Sequence, residues 1–404
     1  MTAGEPSAPA TVGPWRPARV TELPAPAGGR VDVLVVAGEH SGDEHAARVV
    51  RELRATHPEL AVCALGGPGL AAAGAQLLHD LTATSVVGFV EVLRHYSFFK
   101  SLFEATARWV ERHRPRAVCF VDYPGFNLRL AARLREAGLA ARAGGPVRLL
   151  YYISPQIWAW KARRRFTMAR DLDALAVIFP FEPACYADTA LPVEFVGHPF
   201  LAPDYAPPVR HDPQGPVLLL PGSRVQAVER ILPLLLGGFT EYFAENADVR
   251  AVVLFPSNEV AAVARGVLAR WPALAGRVEL RENRGCTAAS AVLTSSGTMS
   301  LHCALAGIPG AIVYRTNPLT YLFARWLVQV EFIGIANLLL REPMYPEFIQ
   351  GAATPAALAA QLRECRGDPA RRQRTRDQLA RLRGLLAQPA TGTAAGWLAR
   401  QLGA

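Results

Sequence analysis

The chain has 404 residues, 51% of them hydrophobic and 19% charged, which fits a globular protein with two domains rather than one core. No run approaches the roughly 18 to 20 apolar residues that cross a bilayer, so a transmembrane helix is not expected. The formal net charge of +9, almost wholly from arginine, favours an anionic partner such as a phosphorylated substrate, an anionic membrane or nucleic acid. Composition alone, however, favours an Arg-rich solvated surface over such a partner.

Neither the N-terminus nor the cysteines indicate secretion. Residues 1–28 are rich in Ala, Pro and Gly and lack the apolar stretch of a signal peptide, so we expect a disordered leader. The six cysteines are scattered, without a CxxC pair or zinc-type spacing. We therefore expect reduced thiols, a cytoplasmic location and no bound metal or cofactor.

Short apolar runs alternate with helical patterns along the rest of the chain. In a first domain, 29–200, the predicted strands are 31–37, 61–65, 117–121, 147–153 and 174–179. A proline-dense segment, 201–216, reads as a linker. In a second domain, 217–365, the predicted strands are 217–220, 251–255, 291–293 and 310–314, and residues 366–404 read as helices. This α/β pattern predicts two Rossmann-like domains with parallel sheets and a ligand crevice between them, at the carboxyl ends of the strands.

Two turns in the second domain are suited to a diphosphate. The strand 217–220 is followed by Gly222, Ser223 and Arg224, which offer backbone N–H groups, a hydroxyl and a guanidinium. The strand 291–293 is followed by a turn whose candidate ligands are Ser296, Gly297 and Thr298. Either turn alone could be an ordinary helix cap, and neither matches a P-loop or a GxGxxG fingerprint. Together they could hold both phosphates of a nucleotide without a metal ion.

A carboxylate in the first domain is a candidate general base. Asp122 directly follows the strand 117–121, where a side chain enters the crevice in this class of fold. The alternative is a turn-forming Asp before a Pro-Gly pair. Glu39, Asp43 and Glu91 are competing carboxylates.

Residues 86–110 mix aromatic, aliphatic and basic side chains. An amphipathic helix of this kind could lie on a membrane surface or hold acyl chains, through Phe98, Phe99, Leu102 and Phe103. The alternative is a helix that faces the core of the first domain. A second aromatic and basic cluster, residues 158–165, could lie near an anion, although tryptophan there is more often packed.

Eleven segments, in order, resemble the lipid-A-disaccharide synthase family of GT-B glycosyltransferases. The resemblance runs from residue 31 to about residue 362. The segments are AGEHSGD (37–43), GGPGLAAAG (66–74), VGFVEVL (87–93), VDYPGFN (121–127), YISPQIWAW (152–160), FPFE (179–182), FVGHP (195–199), LLPGSR (219–224), SSGTMSLH (295–302), YRTNPLTY (314–321) and NLLLREPMYPEFIQ (337–350).

The resemblance implies an inverting enzyme that transfers diacylglucosamine from UDP to diacylglucosamine 1-phosphate. Its partners would be these two acylated sugars and the cytoplasmic surface of the inner membrane, with which it would associate peripherally. A homodimer is left open, and no nucleic acid is expected. The GT-B architecture also suggests that the tail packs back on the first domain.

The resemblance also implies residue roles. Asp122 would be the base. The UDP-sugar site would comprise Gly222, Ser223, Arg224, Ser296, Gly297, Thr298, His302 and Asn337. The acceptor pocket would be bordered by Ser41, Gly42, Asp43 and Glu91.

Two departures from the family pattern affect these roles. His302 stands where the family's SGTxTLE has a Glu that commonly holds the ribose hydroxyls. The family's DAPDFN becomes DYPGFN, which leaves Asp122 as the acid of that segment. The principal alternative is therefore a catalytically altered homologue that binds a nucleotide sugar or lipid. An NAD-dependent oxidoreductase is disfavoured because GxGxxG follows none of the predicted strands, and the spread of basic residues fits no nucleic-acid-binding module.

Overall fold

The structure is a computed structural model that describes residues 19–82, 96–246, 248–317 and 331–404. In these ranges the chain forms two parallel sheets, one after the other along the sequence, with helices between the strands. The prediction of an α/β protein with two parallel sheets is confirmed.

The first sheet has the strand order β3-β2-β1-β4-β5-β6-β7 among the described residues. Its strands are β1 (Val33–Ala37), β2 (Val62–Gly66), β3 (Gln76–Asp80), β4 (Ala117–Val121), β5 (Arg148–Tyr152), β6 (Ala174–Val177) and β7 (Val193–Phe195). Along β1, Val33 and Val35 join one core, and Leu34 and Val36 join the core on the opposite face. Both faces are covered, which explains why this strand reads as a continuous apolar run.

Helices cover the two faces of this sheet. They are α1 (His40–Thr56), α2 (Pro68–Ala72), α3 (Tyr96–His113), α4 (Pro124–Glu136) and α5 (Arg164–Asp171). In α1 the residues Ala46, Val50 and Leu53 recur at helical spacing and are buried, so one stripe of the helix packs on the sheet.

The second sheet has the order β11-β10-β9-β13-β14-β15 in the same ranges. Its strands are β9 (Val217–Leu220), β10 (Ala251–Phe255), β11 (Val278–Glu282), β13 (Ala291–Thr294), β14 (Gly310–Tyr314) and β15 (Glu347–Ile349). A separate parallel pair joins β8 (Val209–His211) to β12 (Thr287–Ala289). The helices of this half are α6 (Val225–Glu245), α7 (Asn258–Leu268), α8 (Thr298–Leu305), α9 (Ile335–Leu340), α10 (Pro355–Gly367), α11 (Pro369–Leu386) and α12 (Ala394–Leu402).

The last helix, α12, lies against the first half of the molecule and packs on α1. Arg148 donates to the Gln401 side chain at 2.6 Å, and Arg400 pairs with Glu194 at 2.7 Å. The chain thus crosses back from the second half to the first, and its C-terminal helix links the two halves.

Two predicted segments are more ordered than the sequence indicated. Within the proposed leader 1–28, Leu23 is buried, and the Trp109 indole N–H donates to the Pro24 carbonyl at 2.8 Å. The described residues 19–28 are therefore packed on α3, which corrects the expectation of disorder for them. The proposed linker 201–216 contains β8, which pairs with β12, so part of it is a strand.

Each sheet contains one point at which the strand order reverses direction. In the first sheet this point lies between β1 and β4, and in the second between β9 and β13. Parallel α/β sheets bind ligands in the crevice outside the carboxyl ends of the strands at such points. The loops after these four strands are therefore where a site is expected.

Candidate active site

Asp122 directly follows β4, at the switch point of the first sheet. Its φ of 47° is left-handed, which is uncommon for a residue with a side chain. Three hydrogen bonds fix this backbone: the Asp122 N–H donates to the Tyr152 carbonyl at 3.0 Å, and its carbonyl accepts from Asn127 Nδ2 at 2.7 Å and from the Tyr151 hydroxyl at 2.6 Å. The surroundings thus hold the backbone of Asp122 in this uncommon conformation, as is typical of functional residues.

The environment of Asp122 favours its protonated form more than water would. Burial and, to a smaller extent, the negative charge of Glu39 raise the pKa of this carboxyl, and the Tyr123 backbone N–H opposes the rise, so that the pKa is about 6. A carboxylate with a pKa near neutrality is a stronger base than an ordinary aspartate and is still ionised at pH 7. Asp122 is therefore suited to accept a proton.

The loops after β1 and β4 approach each other closely because residue 38 is glycine. A Cβ on Gly38 would lie 2.1 to 2.5 Å from ring atoms of Tyr123. The Tyr123 ring therefore packs directly on the Gly38 backbone. This contact brings Glu39, the next residue, beside Asp122.

The two turns predicted to hold a diphosphate come together at the switch point of the second sheet. Gly222 has a φ of 115°, and a Cβ there would lie 3.4 Å from Ser295 Oγ of the other turn. Helix α6 begins directly after Arg224, and α8 begins directly after Gly297. Two helix N-termini with free backbone N–H groups therefore meet in one place, which favours a bound anion.

An ion pair joins the two halves across the crevice. Arg224 Nη2 lies 2.9 Å from Glu39 Oε1, and the two side chains are 56% and 37% exposed. The hydroxyl of Tyr123 is influenced by both charges, since burial and Glu39 raise its pKa while Arg224 lowers it. The structure therefore brings Asp122, Glu39 and Arg224, from two separate sheets, to one cleft.

Asp43, predicted to border the acceptor pocket, has a structural role instead. It is buried, and its two carboxylate oxygens accept hydrogen bonds of 2.7 to 3.2 Å from the backbone N–H groups of Gly67, Gly69 and Leu70. These groups belong to the start of α2, so Asp43 on α1 holds the N-terminus of α2 in place. This burial corrects the predicted acceptor contact.

We expect Asp43→Asn to lower the free energy of unfolding by about 1 to 3 kcal/mol, because an amide cannot accept all of these bonds. Urea denaturation at pH 7 measures the change. Glu111→Gln, at an exposed position on α3, is the matched control and should be nearly neutral. An unchanged unfolding midpoint combined with a raised KM for the acceptor would contradict this structural role.

The other predicted acceptor residues are only partly placed. Ser41 is half-buried and Gly42 is buried, both in the first turn of α1. A Cβ on Gly42 would lie 3.7 Å from the Val121 carbonyl, so this turn lies next to the end of β4. Glu91 falls outside the described residues.

Asn337, predicted to contact UDP, is fully buried and engaged within the protein. Its Nδ2 donates to the Tyr345 carbonyl at 2.7 Å and to Glu347 at 2.8 Å, and its Oδ1 accepts from the Tyr345 N–H at 2.9 Å. Glu347 also accepts from the backbone N–H groups of Ile333 and Gly334, both at 2.9 Å. Asn337 and Glu347 thus shape the loop before α9, which corrects the predicted nucleotide contact of Asn337.

His302 lies one turn into α8 and is buried against the connecting segment between the two halves, residues 200–205. Its Nδ1 is 2.8 Å from the Tyr205 hydroxyl, and its ring centroid is 3.9 Å from that of Phe200. Burial, aided by the nearby His45, lowers the pKa of His302 to about 4, so the ring is neutral at pH 7. This position fits an anchor for the connecting segment and disagrees with the predicted contact to the ribose.

Helix α3 packs all four predicted lipid-contact residues against the core of the first half, two of them fully buried and two partly. Phe98 and Leu102 are buried in the core of the first half, which corrects their predicted contact with a membrane. Phe99 and Phe103 are half-buried. Residues 83–95, which contain much of the predicted amphipathic stretch, fall outside the described ranges.

Exposed aromatic side chains occur instead in a different part of the first half. Trp160, Phe166 and Phe181 are 41%, 48% and 38% exposed. Lys161 Nζ lies 4.3 Å from the centre of the Trp160 ring, and the Arg165 guanidinium lies 4.3 Å from that of Phe166. We call these three aromatics and the cations of residues 161–165 the aromatic-basic surface.

The aromatic-basic surface carries unpaired positive charge and lies near Asp122. Within the described part of the chain, Arg165 pairs with Asp188, whereas Lys161, Arg163 and Arg164 have no carboxylate at ion-pair distance. Arg164 lies close enough to Tyr151, the hydrogen-bond donor to Asp122, to lower the pKa of its hydroxyl. One cation of this surface thus lies within electrostatic range of the side chain that donates to the Asp122 carbonyl.

The described ranges contain neither a cluster of metal-binding side chains nor a membrane-spanning helix. No group of three His, Cys, Asp or Glu side chains there is arranged to hold a metal ion. No helix in these ranges is both long and apolar enough to cross a membrane.

Known structures share this two-sheet architecture. The glycotransferase of kitacinnamycin superposes with a TM-score of 0.55 at 18% identity, covering 92% of this chain and 99% of that one. UDP-GlcNAc 2-epimerase from Neisseria meningitidis gives a TM-score of 0.56 at 12% identity, over the same shares of 92% and 99%. At these identities the likeness establishes the GT-B fold alone.

Sequence comparisons identify the family. The lipid-A-disaccharide synthetase family matches residues 33–395. Lipid-A-disaccharide synthase 1 of Legionella pneumophila is 34% identical over 360 residues, covering 87% of this chain and 92% of the relative. The lipid-A-disaccharide synthase of Geobacter sulfurreducens is 35% identical over 362 residues, covering 86% and 91%. With its GT-B fold and a family match that spans most of its length, the chain belongs to the lipid-A-disaccharide synthase family of glycosyltransferases.

Proposed function

We propose that the protein transfers diacylglucosamine from UDP-2,3-diacylglucosamine to 2,3-diacylglucosamine 1-phosphate, inverts the anomeric centre and releases UDP. The observation that carries this proposal is the meeting of Asp122 and Arg224 in one cleft, linked through Glu39. The names of the relatives point to a lipid A disaccharide as the product, the family resemblance implies the two substrates, and the geometry supports the residue roles.

The donor diphosphate would lie at the switch point of the second sheet. The N–H groups at the starts of α6 and α8, the hydroxyls of Ser223, Ser296 and Thr298, and the guanidinium of Arg224 offer hydrogen bonds and positive potential. Charge grows on the leaving UDP as the bond to the sugar breaks. Fixed donors aimed at that charge stabilise the transition state more than the ground state.

The acceptor hydroxyl would lie against Asp122. This carboxylate takes the hydroxyl proton while the oxygen bonds to the anomeric carbon, and the bond from that carbon to the UDP oxygen breaks with its electron pair leaving on UDP. Asp122 and the diphosphate site lie on opposite sides of the cleft, so the acceptor oxygen attacks the face of the anomeric carbon opposite the leaving UDP. The configuration at that carbon therefore inverts. The proton ends on Asp122 and is later lost to solvent.

A two-substrate assay tests this reaction against a catalytically altered homologue. UDP release should require both UDP-2,3-diacylglucosamine and the acylated sugar phosphate, and the disaccharide phosphate should form in equal amount. UDP binding without turnover under these conditions would favour the altered homologue and overturn the proposed reaction.

We further propose that the protein is cytoplasmic and binds the inner membrane peripherally through the aromatic-basic surface. Exposed Trp and Phe beside Lys and Arg combine an apolar contact with attraction to anionic lipids. Because Arg164 of this surface lies within electrostatic range of Tyr151, which donates to the Asp122 carbonyl, binding there would bring the cleft towards its acylated substrates.

We expect Trp160→Ser combined with Phe166→Ser to lower binding to vesicles containing phosphatidylglycerol by about tenfold, since two exposed aromatics no longer enter the interface. Vesicle flotation measures the bound fraction. Leu385→Ser is the matched control, because Leu385 is similarly exposed, at 39%, but lies on α11. Equal flotation of the double variant and the wild type would dismiss this surface as the membrane contact.

A further inference from the structure

The ion pair between Glu39 and Arg224 cannot persist when a nucleotide diphosphate occupies the second switch point. Arg224 directly precedes the N-terminus of α6, and its guanidinium is engaged by Glu39 at 2.9 Å. A diphosphate offers Arg224 two strong acceptors. A solvent-exposed ion pair is weak, so this exchange is favourable.

When the Arg224 guanidinium turns from Glu39 to the diphosphate, Glu39 loses its counter-charge and its negative charge acts more strongly on Asp122. Glu39 lies close enough to Asp122 to raise the pKa of that carboxyl, and Arg224 is the cation that neutralises Glu39. When the guanidinium turns to the diphosphate, the negative charge of Glu39 is left beside Asp122 without its counter-charge. A nearby like charge disfavours ionisation, so Asp122 then holds a proton more tightly.

We propose that Glu39 is a positioning residue that holds Arg224 in the free enzyme and releases it to the nucleotide diphosphate. Once Arg224 has left, the uncompensated charge of Glu39 strengthens Asp122 as a base, and it does so only when the donor is bound. This inference rests on the proposed function. It assigns two effects to one side chain: competition with the diphosphate for Arg224, and a donor-dependent increase in the proton affinity of the base.

The other charged and titratable groups around Asp122 do not make this exchange. Tyr123 follows it in the same loop, and Tyr151 on β5 donates its hydroxyl to the Asp122 carbonyl. Arg164 on α5 acts on Tyr151. Among the groups named here, only Glu39 both acts on Asp122 and binds a residue of the second sheet.

Two variants separate the two effects. Glu39→Gln removes the charge and the competition, so we expect UDP to bind about two- to fivefold more tightly. We also expect the acidic limb of kcat to shift down by about half to one pH unit. Glu39→Asp keeps the charge but shortens the reach to Arg224. It should bind UDP more tightly than the wild type and keep the wild-type acidic limb.

The pH profiles provide the internal comparison. The profile of kcat/KM reports on the free enzyme and that of kcat on the complex. In the wild type the acidic limb of the kcat profile should lie at a higher pH than that of the kcat/KM profile. Glu39→Gln should reduce this difference in pH. The difference in pH between the two limbs that remains in Glu39→Gln measures the effect of the negative charge of the bound diphosphate on Asp122. Calorimetry with UDP gives the affinities.

Glu282→Gln is the matched control, because Glu282 pairs with Arg284 at 2.7 Å on the surface of the second half. It should change neither UDP affinity nor either pH limb. If Glu39→Gln also leaves both unchanged while the wild type turns over, the inference is overturned and the proposed function stands. If the wild type neither binds UDP nor turns over, the proposed function itself has failed.

Discussion

Replacing Asp122 with asparagine is expected to lower kcat by about 10²- to 10⁴-fold, the usual contribution of a general base. The amide is nearly the same size and cannot accept the proton of the acceptor hydroxyl. The Asp122 backbone is held by Tyr151, Tyr152 and Asn127 through main-chain atoms, so the loop should keep its conformation. UDP affinity, measured by calorimetry, should stay near that of the wild type.

The pH dependence gives the same prediction a second measurement. The pKa of Asp122 is raised to about 6, and the base must be ionised to act. Wild-type kcat/KM, which reports on the free enzyme, should therefore fall about tenfold per pH unit below pH 6 and level off above it. Asp122→Asn should lose this limb.

Asp248→Asn is the control for Asp122, since Asp248 is exposed in the loop before β10, at the end of the second sheet away from the cleft. It should match the wild type in rate and profile. If Asp122→Asn kept more than a tenth of the activity with an unchanged acidic limb, another group would have to be the base.

The fold followed from the sequence wherever strands lie inside a sheet. The nine predicted strands correspond to β1, β2, β4, β5, β6, β9, β10, β13 and β14, each with neighbours on both sides. The four strands at the sheet edges, β3, β7, β11 and β15, were not predicted. Edge strands are less buried: β11 reads VELRE, and only its first residue is buried. A strand with one partner needs no continuous apolar run, so its sequence resembles a loop.

The sequence could predict which side chains lie at the cleft when they directly follow a strand of their own sheet. Asp122 and Arg224 both lie in loops directly after strands that flank a switch point, which adjacency along the chain reveals. Asp43, Asn337 and His302 were assigned from motif position, yet distant partners decide their environment. Asp43 binds residues 24 to 27 positions away, and His302 contacts Tyr205, 97 positions away.

Some site residues carried no local signal. Asn127 lies in the VDYPGFN segment, but its role in holding the Asp122 carbonyl depends on the left-handed backbone there. The ion pair between Glu39 and Arg224 spans 185 positions, and its existence depends on how the two halves face each other. Residue type and spacing do not contain that geometry.

Replacing Arg224 with alanine is expected to weaken UDP binding by about 1.5 to 3 kcal/mol, roughly 10- to 150-fold, because hydrogen bonds to charged groups contribute that much. kcat should fall as well, by about 10²-fold, since the lost guanidinium no longer stabilises charge on the departing UDP. Arg224→Lys should be intermediate, because an ammonium keeps the charge but not the planar fork. Arg284→Ala, at an exposed site on the same half, is the control.

Part of the affinity lost in Arg224→Ala should come from Glu39 rather than from the missing hydrogen bonds. Without Arg224, the Glu39 carboxylate faces the diphosphate unneutralised and repels it. Combining Arg224→Ala with Glu39→Gln removes that repulsion, so the double variant should bind UDP more tightly than Arg224→Ala alone, and a double-mutant cycle gives the coupling. Equal UDP affinity of Arg224→Ala and the double variant would show that Glu39 does not act on the bound nucleotide. If Arg224→Ala itself bound UDP as the wild type does, the diphosphate would have to bind away from the second switch point.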